Sequence, residues 1–208
     1  YKILCDTSAI SDTLNHYLIE HSKSQLRITE SEKTPHVTFF FDGLTDQYRD
    51  SYDSILIPSF QVGSWASVPD MKAKDIADKF TEAFAKKSYD FALINLTNAD
   101  LVGHSGNLEA TIQGCEAVDS ALGQILSSLS DNDHILVTAD HGNAEYMLTD
   151  EGRPHTAHTC YPVKFHYQGP LQGSRQLKDH GQIGQVAPTV ATCLQLPHRE
   201  LWLSDLFI

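Results

Sequence analysis

Along this chain, apolar residues recur at helical spacing in some stretches and gather into short continuous runs in others. Ile10, Leu14, Leu18 and Ile19 fall on one face of residues 7–22, with polar residues opposite, which predicts an amphipathic helix. Ile76, Ala77, Phe80 and Phe84 form a second stripe within residues 73–87, after the loop containing Pro69. The longest pattern, Leu108, Ile112, Cys115, Val118, Leu122, Ile125 and Leu129, advances by threes and fours and predicts a helix over 107–129 with Asn107 as its cap. A last helix is predicted over 183–194, with Pro188 close to its first turn, where a missing amide costs little. Between these lie strand-like runs at 36–41, 54–57, 91–96, 134–139 and 163–167, rich in β-branched and aromatic residues. The run at 36–41 ends in the turn signal Asp42-Gly43, and an irregular loop is expected from the end of the fourth run to about Cys160. Helices alternating with apolar strands predict an α/β fold with a largely parallel central sheet, folded as a single domain.

Composition narrows the class of function. The 208 residues, 41% of them hydrophobic, suffice for a well-buried core. A formal charge of −12 repels phosphate backbones and anionic membrane surfaces, so neither nucleic acid nor membrane is an expected partner. That charge still admits an anionic substrate where metals and local cations reverse the potential inside a site. Cys5, Cys115, Cys160 and Cys193 have no C-x-x-C spacing and read as reduced thiols. With no apolar run of membrane-spanning length and no signal-peptide pattern, a cytoplasmic protein is expected, and the start at Tyr1 rather than methionine suggests a fragment or processed product.

Candidate chemistry sits where predicted strands end. Asp140 and His141 follow the apolar run 135–139, at the position where open α/β sheets gather their ligands. Taken alone, the pair has a plainer reading, with Asp140 capping the next turn and His141 lying in a loop. Asp100 and His104 are spaced by four, so a helical turn points both to one side, and Gly103 permits close backbone approach. His155-Thr-Ala-His158 adds two more imidazoles, three residues apart and competing for one ligand role. Three such segments together favour joint metal binding. Carboxylate with imidazole suits Mn²⁺ or Zn²⁺, and Mg²⁺ less well. Two metals about 4 Å apart clamp a phosphoryl group and activate a hydroxyl, so phosphoryl transfer or phosphate-ester hydrolysis is the expected reaction class.

The segments Asp100-Leu-Val-Gly-His-Ser-Gly-Asn-Leu-Glu109, Thr138-Ala-Asp-His-Gly-Asn-Ala-Glu145 and His155-Thr-Ala-His-Thr159 resemble those of the cofactor-independent phosphoglycerate mutases. The run from Leu26 to Phe41, with Thr29-Glu-Ser-Glu-Lys33 inside it, extends the resemblance over nearly the whole chain, most weakly over its last thirty or so residues. The family implies an alkaline phosphatase-like domain, two divalent metals with manganese foremost and zinc or magnesium as alternatives, and interconversion of 3-phosphoglycerate and 2-phosphoglycerate through a phosphoserine. By this resemblance Asp100, His104 and His158 hold one metal and Asp140 and His141 the other. Lys33, otherwise an ordinary surface charge, matches a lysine that lies near the phosphoserine, where a compact ammonium stabilises the transferring group. The family pattern prefers His158 to His155 as ligand. Asn143 and Glu145 read as organising their loop, His134 as structural at the opening edge of its strand, and His166 as an ordinary strand residue. Asp42-Gly43-Leu44 departs from the Asn/Ser-Gly-Gly of the family, which touches local turn contacts and not the ligands.

The serine nucleophile, the early aspartate and the substrate-gripping inserted domain of that family have no match among the 208 residues. Ser105 follows a presumed ligand and is a poor substitute. The resemblance therefore implies the carboxyl-terminal part of a phosphatase-like domain, without its amino-terminal strand. Such a chain is expected to be inactive alone, to bind metal incompletely at the second site, and to belong to a monomeric isomerase acting on phosphoglycerate. A metal-dependent phosphatase, phosphodiesterase or phosphopentomutase on the same fold, or a non-catalytic metal-binding fragment, are the competing readings.

Overall fold

The computed structural model describes residues 8–208, so Cys5 and the start of the first predicted helix lie outside them. The described residues form two compact units, the first running up to Ser128 and including Tyr146–Ala157, the second made of Leu129–Glu145 and His158–Ile208.

The first unit is built on a parallel sheet of three strands, β1 (Gln25–Glu30), β2 (Asp53–Ile57) and β3 (Phe91–Ile94), in the order β2-β1-β3. Helix α1 (Leu14–Glu20) is capped by the Thr13 hydroxyl, which accepts from the His16 amide. It starts later than the apolar stripe predicts, and Ile10 is left exposed ahead of it. Helices α2 (Thr34–Val37) and α3 (Ala73–Lys86) pack against β1. Helix α4 (Asn98–Gly103) and the long α5 (Leu108–Ser127) follow, with α5 against both α3 and α4. The Asn107 side chain accepts from the Ala110 amide and caps α5, as the sequence predicts.

Two features of this unit depart from the sequence reading. β1 carries no continuous apolar run, yet all six of its residues are buried. Leu26 and Ile28 supply the apolar side, while Gln25, Arg27, Thr29 and Glu30 enter the interior with hydrogen-bond partners, which is what makes polar burial affordable. The predicted strand at 36–41 is instead the end of α2 and the turns that continue it. Pro35 presets the backbone of the first helical turn, the Thr38 hydroxyl donates to the Thr34 carbonyl at 2.8 Å, and the Phe40 amide donates to the Pro35 carbonyl at 2.8 Å. The turn that follows places Gly43 and Leu44 at φ of 81° and 66°, so a leucine holds a left-handed backbone that glycine adopts more cheaply.

The second unit contains β4 (Ile135–Val137) and β5 (His166–Gln168), paired antiparallel in a sheet of their own rather than joining the parallel sheet as expected. The fifth predicted strand thus lies slightly later than 163–167. A 3₁₀ turn at Ile183–Gln185 leads into α6 (Val186–Cys193), with Pro188 inside its first turn. Tyr167, Cys193 and Phe207 form the core here, with Leu136, Phe165, Leu171 and Leu177 packed on them. Cys115, Cys160 and Cys193 are free thiols. Among the described residues no helix is long and apolar enough to cross a membrane.

Candidate metal centres

In the first unit, Lys33 and Asp100 both lie just past the carboxyl ends of neighbouring parallel strands, Lys33 beyond β1 and Asp100 in α4 beyond β3. This is where an open parallel sheet collects its functional groups, because the strand-to-helix turns there converge on one edge. The Lys33 ammonium is bound to Asp100 Oδ2, and both side chains are mostly buried. His104 lies one helical turn on from Asp100, with its Nε2 3.0 Å from Asp100 Oδ1. Its Nδ1 is 2.7 Å from the Thr156 carbonyl, which can only accept, so Nδ1 carries the proton. In the neutral imidazole Nε2 then presents a lone pair toward a carboxylate oxygen. Two acceptors face each other, and a cation at Nε2, whether a proton or a metal, reconciles them. A backbone carbonyl fixing the distal ring nitrogen is the usual support of a metal-ligating histidine.

In the second unit, His141 and His158 come together. The His141 and His158 rings stack with centroids 3.6 Å apart and offer ligand nitrogens within 4.8 Å of each other. His141 Nε2 is 3.5 Å from Asp140 Oδ2. His141 Nδ1 is buried without a hydrogen-bond partner, an orphaned polar atom that a metal ion would satisfy. A pair of imidazoles at this spacing suits a divalent transition metal.

The remaining candidates separate by environment. His155 lies in the first unit, edge-on to Tyr146 with ring centroids 4.9 Å apart, its Nδ1 buried and unpartnered. Ser105 Oγ donates to the Val102 carbonyl at 2.6 Å and accepts from the Asn107 amide at 3.1 Å, so its hydroxyl serves the turn before α5. His134 Nδ1 and the Tyr167 hydroxyl are hydrogen-bonded at 2.9 Å, and that hydroxyl accepts from the Leu171 amide at 3.0 Å. His166 is exposed on β5. Two contributors carry no sequence signal. The Thr156 carbonyl is backbone, which no residue type announces. Glu30, fully buried at the end of β1, accepts from the hydroxyls of Ser59 at 2.9 Å and of Thr97 at 2.6 Å, the latter just ahead of α4. Its role depends on partners far away in sequence.

Carboxylate and imidazole side chains near strand ends are donors of the kind a divalent metal takes. The chain belongs to the metalloenzyme superfamily, whose family model matches residues 4–198. It is similar to the 2,3-bisphosphoglycerate-independent phosphoglycerate mutases of Pseudomonas paraeruginosa (40% identical over 90% of this chain and 36% of that one) and Shewanella denitrificans (41% over 92% and 37%). Among solved structures it is similar to the phosphoglycerate mutase of Leishmania mexicana crystallised at low cobalt concentration, with a TM-score of 0.85 and 27% identity over 94% of this chain and 39% of that one. The chain thus spans little more than a third of the length of these relatives, at 36% and 37% of the two bacterial enzymes.

Proposed function

We propose that these residues are part of a cofactor-independent phosphoglycerate mutase, an isomerase that moves a phosphoryl group between the 3- and 2-positions of glycerate through a phosphoserine. The observation that carries this reading is 40% identity to named mutases over 90% of the chain. Asp100, His104, Asp140, His141 and His158 are the proposed metal ligands. Two divalent ions, manganese foremost, supply charge neutralisation and nucleophile activation when bound. Thr156 holds the His104 proton on Nδ1 and keeps Nε2 available. The Lys33 ammonium, anchored on Asp100, supplies a fixed positive charge for the transferring phosphoryl group, a contribution made without reorganisation at the moment of reaction.

The same reading makes the whole protein a monomeric cytoplasmic enzyme of glycolysis and gluconeogenesis, and these 208 residues part of one phosphatase-like domain, in keeping with a family match that runs through both compact units. The 208 residues by themselves turn over no phosphoglycerate. Assaying the purified chain and the full-length protein with 3-phosphoglycerate and manganese tests both statements: the full-length protein is active, and its Lys33→Ala variant loses about 100-fold or more in kcat, the scale of a lost charge-stabilising group. A full-length protein that hydrolyses phosphate esters without forming 2-phosphoglycerate refutes the mutase assignment, and turnover by the chain alone refutes its inactivity.

A further inference from the structure

Glu145 lies between the two stretches that carry His141 and His158. Its Oε2 accepts from the Asn143 amide at 2.7 Å, and its Oε1 accepts from the Thr159 hydroxyl. The Thr159 amide donates to the Gly142 carbonyl at 2.9 Å, closing an isolated antiparallel bridge between residues 142 and 159. One carboxylate therefore ties the backbone just after His141 to the side chain just after His158. Gly142 is buried, and a Cβ there would collide with both the Glu145 carboxylate and the Thr159 hydroxyl, so the glycine leaves the volume that the tie occupies. The outcome is two imidazoles held face to face, 3.6 Å between centroids.

We propose that Glu145 is a positioning residue that sets the spacing of His141 and His158 before a metal arrives. Both of its oxygens engage protein donors, which keeps it out of the ligand set while fixing the geometry that the ligands present. Groups that orient metal ligands in this way are worth about 10–100-fold in metal affinity. The proposal rests on the reading of His141 and His158 as ligands.

The test uses the 208-residue chain and two readouts. In the metal-free protein, the nuclear Overhauser contact between the His141 and His158 ring protons reports the spacing directly. Titration with Co²⁺, followed by its visible absorption, reports affinity. Glu145→Ala should abolish the ring contact and weaken Co²⁺ binding by about 10–100-fold, with far-ultraviolet circular dichroism unchanged. Glu145→Gln keeps an oxygen for the Thr159 hydroxyl and should restore the ring contact and most of the affinity, which a merely bulky or structural role does not require of it. Thr159→Val cuts the same tie from its other end, should reproduce the loss, and answers the question if the alanine variant fails to fold. Rings that stay in contact in folded Glu145→Ala or Thr159→Val protein overturn the proposal. A wild-type chain with the ring contact but no Co²⁺ binding overturns the ligand reading instead, and the clamp is then judged on the ring contact alone.

Discussion

Arg27 is wholly buried in β1, and its surroundings explain how a charge survives there. Its guanidinium lies 3.8 Å from the Asp42 carboxylate, donates to Val37 O at 3.0 Å, Asn15 Oδ1 at 2.9 Å and Gln25 Oε1 at 2.7 Å, and is flanked by the rings of Phe41 and Tyr52 at 4.2 and 4.5 Å. Burial lowers its pKa to about 10, which leaves it charged at neutral pH, and burial raises that of Asp42. Arg27→Met should destabilise the chain by about 3–5 kcal/mol, the cost of leaving a buried charge without its counter-ion. Adding Asp42→Asn should recover part of that loss; urea denaturation of the two variants measures both, and a loss below about 1 kcal/mol for Arg27→Met contradicts the pairing. His134 behaves in the opposite sense. Burial lowers its pKa below the ordinary 6.5, only partly opposed by Asp133. The folded state then binds fewer protons than the unfolded chain near pH 6, so the contribution is complete above pH 6.5 and is lost as the pH falls toward the folded-state value. His134→Asn keeps a hydrogen-bonding partner for the Tyr167 hydroxyl without a titrating ring. It should flatten the fall in thermal midpoint between pH 7.5 and 5.5 relative to wild type, and an unchanged slope would exclude the effect. At this scale the ligand candidates stand out by residue type and spacing, Asp100 with His104 and Asp140 with His141. The Thr156 carbonyl and the partners of Arg27 do not, since each depends on what the fold brings near.

Helices were more legible than strands, and the reasons are physical. α3, α5 and α6 each keep an apolar stripe and a definite boundary, so periodicity locates them. The cap of α5 is local enough to be read residue by residue. Asn107→Ala removes the acceptor for the Ala110 amide and should cost about 1 kcal/mol, measurable as a lowered urea midpoint with unchanged m-value; a change within error would mean that water replaces the cap without loss. β1 was invisible because its buried polar side chains mimic a surface pattern, and their partners Asn15, Asp42, Ser59 and Thr97 are spread from α1 to the start of α4. The Phe-rich segment misled for the converse reason. Three consecutive aromatics suggest a buried strand, yet Phe40 is exposed and Phe41 packs on the Arg27 guanidinium, so their hydrophobicity serves a cation and a surface rather than a ladder. A run of three residues has no directional signature, so the antiparallel β4–β5 pairing leaves no mark in the sequence.

For the molecule as a whole, the net charge of −12 and the proposed ligands both predict stabilisation by divalent cations, and the two effects can be told apart. Screening of self-repulsion depends on ionic strength and on no particular side chain; beyond a Debye length of about 8 Å at 0.15 M salt little of it remains to be removed. Coordination depends on named donors and follows mass action, reaching about 2.7 kcal/mol when the free metal is 100 times its dissociation constant. For a chain of this length that corresponds to a rise of about 5–10 °C in thermal midpoint. In 0.15 M salt, saturating Mn²⁺ should therefore raise the midpoint by several degrees over a chelator-treated sample, while matching the ionic strength with sodium chloride should not. His141→Ala or His158→Ala should abolish most of the rise. Asp100→Ala should weaken Mn²⁺ binding as well, and His155→Ala, whose ring packs on Tyr146, should do so far less. Equal loss on all of these substitutions would mean that the histidines act through fold stability. A rise that persists in the His141 and His158 variants would mean that manganese serves an acidic chain as a counter-ion, and the metal-ligand assignment in the second unit would fall.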